Sequence, residues 1–217
     1  ADMLSFAWQY WEIFLKECYA FRPTTTQPVI IDCGGNIGVS ALYFAKRCPQ
    51  ATVKVIEADK SIAALCKKNL VANNYAGIEV INKAAWTHNG YISFHSEGAD
   101  GGRITNDDAN QVECLDFNEF LQSFLHIDLL KIDIEGAEAA ILAHSAGQLK
   151  KIKYLFIEYH SSPSVSQQLG DILNLLTQNG FRYYIEDLQK KHKPFITGAA
   201  NDHFDLQLNI YATNEQL

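Results

Sequence analysis

The sequence predicts an α/β fold in which a doubly wound, mostly parallel sheet alternates with helices, and three observations predict it. Apolar β-branched runs alternate with segments of helical period along most of the 217 residues. The run Val29-Ile30-Ile31-Asp32-Cys33 passes through Gly34, Gly35 and Gly38 directly into a helix-forming segment, Ala41 to Ala45. Several runs also close on an acid (Asp32, Glu57, Asp133 and Glu158), and ligands of open parallel sheets bind beyond the carboxyl ends of the strands.

Taken in order, Leu4 to Phe21 spaces Phe6, Trp8, Tyr10, Trp11, Phe14, Leu15, Cys18 and Tyr19 three and four residues apart, which predicts a helix with a broad aromatic face. Such a stripe is ordinarily core packing, with cover of a ligand mouth as the alternative. Arg22-Pro23 ends it. The strand Val29–Cys33 and its glycine turn follow, and Cys48-Pro49-Gln50 closes the next helix. Residues 51–56 form a second strand ending in Glu57-Ala58-Asp59, where Asp59 is the natural cap of a helix from Lys60 to Asn73. Gly77 to Ile81 is a third strand, with Asn82-Lys83-Ala84-Ala85 after it.

Tyr91 to Phe94 and Gln111 to Leu115 read as strands on either side of a polar, glycine-containing loop, Ser96 to Asn110; a loop of that length is usually functional or disordered. Asp116 caps a helix reaching Phe124. Asp128 to Ile134 is a buried strand, and Gly136 turns it into the helix Ala137 to His144. Lys131 inside that strand needs a carboxylate partner, such as Glu158, because a lone buried ammonium is costly. Lys153 to Ile157 is the next strand and ends in Glu158-Tyr159-His160. A helix from Ser164 to Gln178 and strand-like Phe181 to Ile185 come next. Phe204 to Tyr211 alternates as an antiparallel edge strand does, and Lys190 to Lys193 reads as a solvated hairpin tip.

A chain of this length buries about 70% of its unfolded surface, so one domain is expected over 1–217, with 1–27 an N-terminal helical segment and 28–217 the α/β core. Hydrophobic residues at 47% and charged ones at 20% belong to a globular protein. A net charge of -7 argues against a phosphate-backbone partner, so no nucleic acid is expected. Five scattered cysteines without metal-site spacing read as reduced thiols, and no run is apolar enough to span a bilayer. A cytoplasmic protein without a membrane partner is the expectation, and oligomeric state is not legible.

The turn Asp32 to Gly38 is a nucleotide-type cradle: Gly34, Gly35 and Gly38 admit a ligand close to the backbone, and the helix start presents amides. The glycines lack the G-x-G-x-x-G spacing of a dinucleotide site, and the Asp32 carboxylate stands where a pyrophosphate would be repelled. A ligand carrying an ammonium and a sulfonium suits that carboxylate, which points to S-adenosylmethionine. Glu57, at the end of the second strand, is placed to accept hydrogen bonds from ribose hydroxyls, and Ala84 lies where an adenine edge is expected.

With Ile31-Asp32-Cys33-Gly34-Gly35-Asn36-Ile37-Gly38, Ile56-Glu57-Ala58-Asp59, Lys83-Ala84-Ala85 and Leu130-Lys131-Ile132-Asp133-Ile134-Glu135-Gly136-Ala137-Glu138, the chain resembles the FkbM family of class I S-adenosylmethionine-dependent methyltransferases. The likeness covers roughly Val29 to His160. It implies a Rossmann-like, seven-stranded sheet in the order 3-2-1-4-5-7-6 with the last strand antiparallel and helices on both faces. It further implies O-methylation of a sugar or polyketide-type hydroxyl, with S-adenosylhomocysteine as the cofactor product. Carried over by position, it puts Asp32, Gly34, Gly35 and Gly38 around the methionine portion, Glu57 on the ribose, Ala84 near adenine and Asp133 near the transferred methyl, with Asn36 and Ala58 also among the cofactor-binding residues. Gly35 and Trp86 depart from the usual residues and leave the acceptor open.

A hydroxyl acceptor must lose its proton near the transition state. His160 is the first candidate base because an ordinary imidazole titrates near the working pH, with Asp133 second and Glu135 beside them. Asp133, Glu135, Glu158 and His160 together have the chemistry to hold a divalent cation, but the carboxylates are needed for Lys131 and the cofactor, so no metal is expected. A nicotinamide-dependent oxidoreductase and a non-catalytic cofactor-binding interaction module are the alternative readings.

Overall fold

The computed structural model describes residues 3–96, 102–104, 111–188, 192–193, 195–196 and 204–217. Seven strands form one sheet: β1 (Val29–Cys33), β2 (Thr52–Ile56), β3 (Glu79–Ile81), β8 (Ile127–Ile132), β9 (Ile152–Ser161), β10 (Phe181–Asp187) and β11 (Leu206–Asn214). Their spatial order is β3-β2-β1-β8-β9-β11-β10, which is 3-2-1-4-5-7-6 when these seven are counted along the chain. All neighbours run parallel except β11, which is antiparallel to both β9 and β10. The resemblance implied this order, and the structure has it.

Both faces of the sheet are covered, because successive residues of a strand point to opposite sides. Ile30, Val53, Val55, Leu129 and Phe156 pack on one side against α2 (Val39–Arg47) and α3 (Lys60–Ala72). Ile31, Leu130, Ile132, Leu155 and Ile157 pack on the other against α4 (Phe117–Gln122), α5 (Glu138–His144) and α6 (Leu169–Gln178). All six residues of β8 are buried, as a strand at the centre of a two-faced sheet requires. Asp59 caps α3 by accepting from the amides of Ser61 and Ile62, and Asp116 caps α4 through the amide of Glu119.

Several expectations are corrected. The N-terminal helix ends early: α1 (Met3–Tyr10) gives way to a π-helical turn over Trp11–Leu15, and Glu17 takes φ of 55°. That reversal lets Tyr19 leave the helix and pack edge-on against Phe156, 4.8 Å between ring centroids. Ile13 is buried against the sheet, whereas α1 itself buries no residue. The segment read as an edge strand, β11, instead sits between β9 and β10, and the edge belongs to β10. Its three consecutive buried residues Leu208, Asn209 and Ile210 follow from that interior place. The helix expected from Ser164 begins at Leu169, and the strand expected to end at Ile157 continues to Ser161.

A second sheet forms from β4 (Ala84–Trp86), β5 (Gly90–Ser96), β6 (Gly102–Ile104) and β7 (Gln111–Asp116), in the order β4-β7-β5-β6. The stretch read as a loop therefore contains a strand, with His95 opposite Arg103 in the register. Residues 97–101 and 105–110 of that stretch, and Lys190 and Lys191 of the hairpin tip, lie outside the described residues. His192 and Lys193 are exposed. All five cysteines are free. Among the described residues no helix is long and apolar enough to cross a membrane.

Candidate active site

The turn from β1 into α2 is shaped by close packing with the neighbouring strands. Gly34 has φ of 82°, and a Cβ there would lie 1.7 Å from the carbonyl oxygen of Asp133; at Gly35 a Cβ would lie 2.1 Å from Val55 Cγ1. Both glycines are thus demanded by the fold itself. The amides of the turn are also spent internally. Gly34 N and Gly35 N donate to Ile56 O at 2.9 and 3.1 Å, Asn36 N to Glu57 Oε2 at 2.9 Å, Ile37 N to Asn36 Oδ1 at 2.6 Å, and Gly38 N to Gly35 O at 2.9 Å. The amides of residues 34–38 are thus engaged within the chain, and the expectation of amides presented to a ligand rests on the first residues of α2.

Asp32 is fully buried. Its carboxylate accepts a 2.5 Å hydrogen bond from Ser40 Oγ and stands 3.3 Å from Lys131 Nζ. It therefore holds the turn and the first residues of α2 together, and its charge is compensated before any ligand arrives. Its charge thus acts on a ligand from beneath the turn rather than by contact, and the engaged amides of residues 34–38 add a second ground against a dinucleotide.

Lys131 does not pair with Glu158. Its ammonium donates to Gly34 O at 2.8 Å and lies 3.3 Å from both Asp32 and Asp133. Burial lowers its affinity for a proton, but Asp32 and Asp133 outweigh burial and push it above the ordinary lysine value. Glu158 sits one strand further along the sheet, on β9, and its partner is Gln207 of β11, whose Nε2 donates to Oε1 at 2.8 Å. Lys131 thus ties the β1 turn to the end of β8.

Glu57 extends beyond the end of β2 with one oxygen accepting from Asn36 N and the other from Asp59 N, each at 2.9 Å. Each oxygen keeps a second lone pair. Burial pushes this carboxyl up to about 7 against those hydrogen bonds. Asn82 braces the same loop by donating to the carbonyls of Glu57 and Ala58. Ala84 is buried with Ile92 and Cys114, and Ala58 packs against the three.

At the ends of β8 and β9 a second group assembles. The chain leaves β8 through Glu135, at φ of 60°, and Gly136, at φ of 107°. Glu138 of α5 is fully buried and spans the turn: its Oε1 accepts from Ile134 N at 3.2 Å, from Gly136 N at 3.0 Å and from His160 Nδ1 at 3.2 Å. His160 Nε2 lies 3.5 Å from Glu135 and 3.5 Å from Glu158, and 3.1 Å from the Gln207 amide; its ring rests on Phe204. Burial favours the neutral imidazole, but hydrogen bonds to Glu138 and Glu158 and the charges of Glu138 and Glu135 push His160 well above its ordinary value. That direction moves His160 away from the ordinary titration near the working pH on which its choice as first candidate base rested. Burial raises Glu135 in turn, against the pull of His160.

The residues expected in the site thus fall into two groups joined by Lys131. Gly34, Gly35, Asn36, Gly38 and Glu57 form one, with Asp32 beneath them; Asp133, Glu135, Glu158 and His160 form the other. Glu138, Gln207 and Ser40 were missed. An acid in the first turn of the helix after Gly136 was a capping signal that pointed to Glu138. Gln207 reaches His160 only through the β9–β11 register, which pairs the two residues across 47 positions of sequence.

Comparison with known proteins bears on both groups. The pattern of the Methyltransferase FkbM domain matches residues 32–183. "Methyltransferase 1" of Beauveria bassiana is 26% identical over 158 residues, 60% of this chain and 64% of that protein. The "2-O-methyltransferase NoeI" of Sinorhizobium fredii is 28% identical over 174 residues, 69% of this chain and 71% of its own. The chain therefore spans about two thirds of the length of these relatives. Among solved structures, methyltransferase FkbM from Methylobacillus flagellatus superposes with a TM-score of 0.55 at 18% identity, over 97% of this chain and 56% of the other. TrmK of M. capricolum, crystallised with S-adenosylhomocysteine, superposes with a TM-score of 0.54 at 12% identity, over 93% and 67%. These two show the fold. The match over residues 32–183 joins the β1 turn, the Glu57 loop and the Asp133–His160 cluster in one pattern, and by it the chain belongs to the FkbM methyltransferase domain family.

Proposed function

We propose that the chain transfers a methyl group from S-adenosylmethionine to a hydroxyl of a small molecule, of the sugar or polyketide kind. The observation that carries the reading is Glu57: a carboxylate fixed by two backbone amides at the end of β2, beside a turn whose own amides are spent. Its remaining lone pairs suit the two hydroxyls of a ribose. At the ends of β8 and β9 on the same rim, the acids Asp133, Glu135 and Glu158 outnumber Lys131 and His160, which suits a cation rather than a phosphate. The donor set therefore fits S-adenosylmethionine, which when bound supplies an electrophilic methyl on a positively charged sulfur.

The chain's own contribution is alignment and proton acceptance. Asp133, its carboxylate 24% exposed and fixed by Lys131, lies at the end of β8 next to the cradle, where the acceptor oxygen must approach. Glu135, 3.5 Å from His160 Nε2, is the proton acceptor in this reading: burial raises it, and against burial the His160 charge favours its ionised form. His160 keeps Glu135 and Glu158 in place, and Asp32 positions the turn without touching the ligand. The relative NoeI is a 2-O-methyltransferase by name, which supports oxygen as the acceptor atom.

The test is incubation of the protein with S-adenosylmethionine and a panel of hydroxylated metabolites, reading S-adenosylhomocysteine and methylated product by mass spectrometry. Product carrying one added methyl on oxygen is expected, with turnover lowered at least tenfold in Glu135→Gln. Methylation of nitrogen or carbon only, or reduction of a nicotinamide by the same preparation, contradicts the reading.

A further inference from the structure

We propose that Asp133, Glu158 and His160 bind one divalent cation of the Mg2+ or Mn2+ type at the junction of β8 and β9. One carboxylate oxygen from each acid and one imidazole nitrogen all lie within 4.8 Å of one another. Around a six-coordinate ion with bonds of about 2.1 to 2.2 Å, ligand atoms stand about 3 Å apart when adjacent and about 4.4 Å when opposite, so small side-chain adjustments bring the three into one shell. Two carboxylate oxygens and an imidazole nitrogen suit Mn2+ and Mg2+.

Each of the three is held from behind, as the ligands of a metal centre are. Glu138, fully buried, engages His160 at Nδ1 and leaves Nε2 turned toward Glu135 and Glu158. The second oxygen of Glu138, Oε2, is buried and has no hydrogen-bond partner among the described residues. Gln207 orients Glu158 through a 2.8 Å hydrogen bond, and an ion at Nε2 leaves that amide its bond to Glu158. Lys131 holds Asp133 at Oδ2, 3.3 Å away. Coordination requires a neutral imidazole, and the cation supplies the opposite charge that a proton supplies in its absence.

The purpose of the ion rests on the function proposed above. A cation there draws in the acceptor hydroxyl and makes it more acidic, and the proton passes to Glu135, which already lies against the same imidazole. The site itself is testable without turnover. Chelator-stripped protein is titrated with MnCl2, and free Mn2+ is read by electron paramagnetic resonance. One Mn2+ per chain is expected, with affinity weakened at least tenfold by Glu158→Gln and by His160→Gln. A cooperative urea-unfolding transition in Glu158→Gln checks that it folds. On the unsubstituted protein, substoichiometric Mn2+ is expected to broaden the His160 ring signals in nuclear magnetic resonance. No uptake below millimolar Mn2+, uptake indifferent to both substitutions, or sharp His160 signals overturns the proposal. A protein that binds Mn2+ yet methylates nothing keeps the site and contradicts the function; one that methylates fully with no ion bound does the reverse.

Discussion

Lys131 lies 3.3 Å from both Asp32 and Asp133 and is almost wholly enclosed, so its ammonium is the charge on which two strand ends depend. Replacing it by Met keeps the volume but leaves Asp32 buried without an opposite charge. Loss of about 3 to 5 kcal/mol of stability is expected in urea unfolding, far beyond the cost of a surface pair. Glu57 gives a pH dependence at the same scale. Its carboxyl is pushed up to about 7 by burial, and ribose hydroxyls donate far more strongly to the ionised form, whose two oxygens both accept. Binding therefore expels a proton, and S-adenosylhomocysteine affinity should rise about tenfold between pH 6 and pH 8, then level off. Calorimetry on Glu57→Gln should show weaker binding with that slope removed. The same shift works on stability with the opposite trend. Because the folded carboxyl holds its proton longer than the unfolded one, Glu57's contribution is greatest at low pH and is lost as pH rises from the ordinary carboxylate range to about 7.

At the scale of elements, the helix caps carry separable stability. Asp59 satisfies two amides at the start of α3, one turn from Glu57, whose own oxygen holds Asp59 N. Asp59→Ala should cost about 1 kcal/mol in thermal or urea unfolding. Because the Asp59 backbone amide stays, the same variant should leave S-adenosylhomocysteine affinity within a factor of two. What was legible in the sequence follows from how local each signal was. The strand, glycine turn and helix from Val29 to Arg47 could be read because apolar period, glycines and helix start fall within twenty residues. The end of the first helix could not, since it is set by Tyr19 seeking Phe156, and nothing near Phe21 announces that contact. The alternation of β11 suggested an exposed edge, yet its place between β9 and β10 depends on a pairing across the whole C-terminal third.

For the molecule as a whole, the order of the sheet brings β1, β2, β8 and β9 side by side with their carboxyl ends together. That is why acids spread from Asp32 to Glu158 meet at one rim. Their meeting was readable from the sequence; their pairing was not. The choice of Glu158 for Lys131 failed because β8 lies between β1 and β9, and the ammonium turns toward the β1 turn. The charge of His160 likewise depends on Glu138, a partner that only folding places beneath it. The central claim is that this rim, with the β1 turn, receives a cationic nucleoside rather than a phosphate-bearing one. Isothermal titration of the same protein with S-adenosylhomocysteine and with NAD tests it most directly. The account predicts one S-adenosylhomocysteine site per chain, weakened at least tenfold by Glu57→Gln, and no heat from NAD. Binding of NAD that Glu57→Gln weakens, with none of S-adenosylhomocysteine, would contradict it.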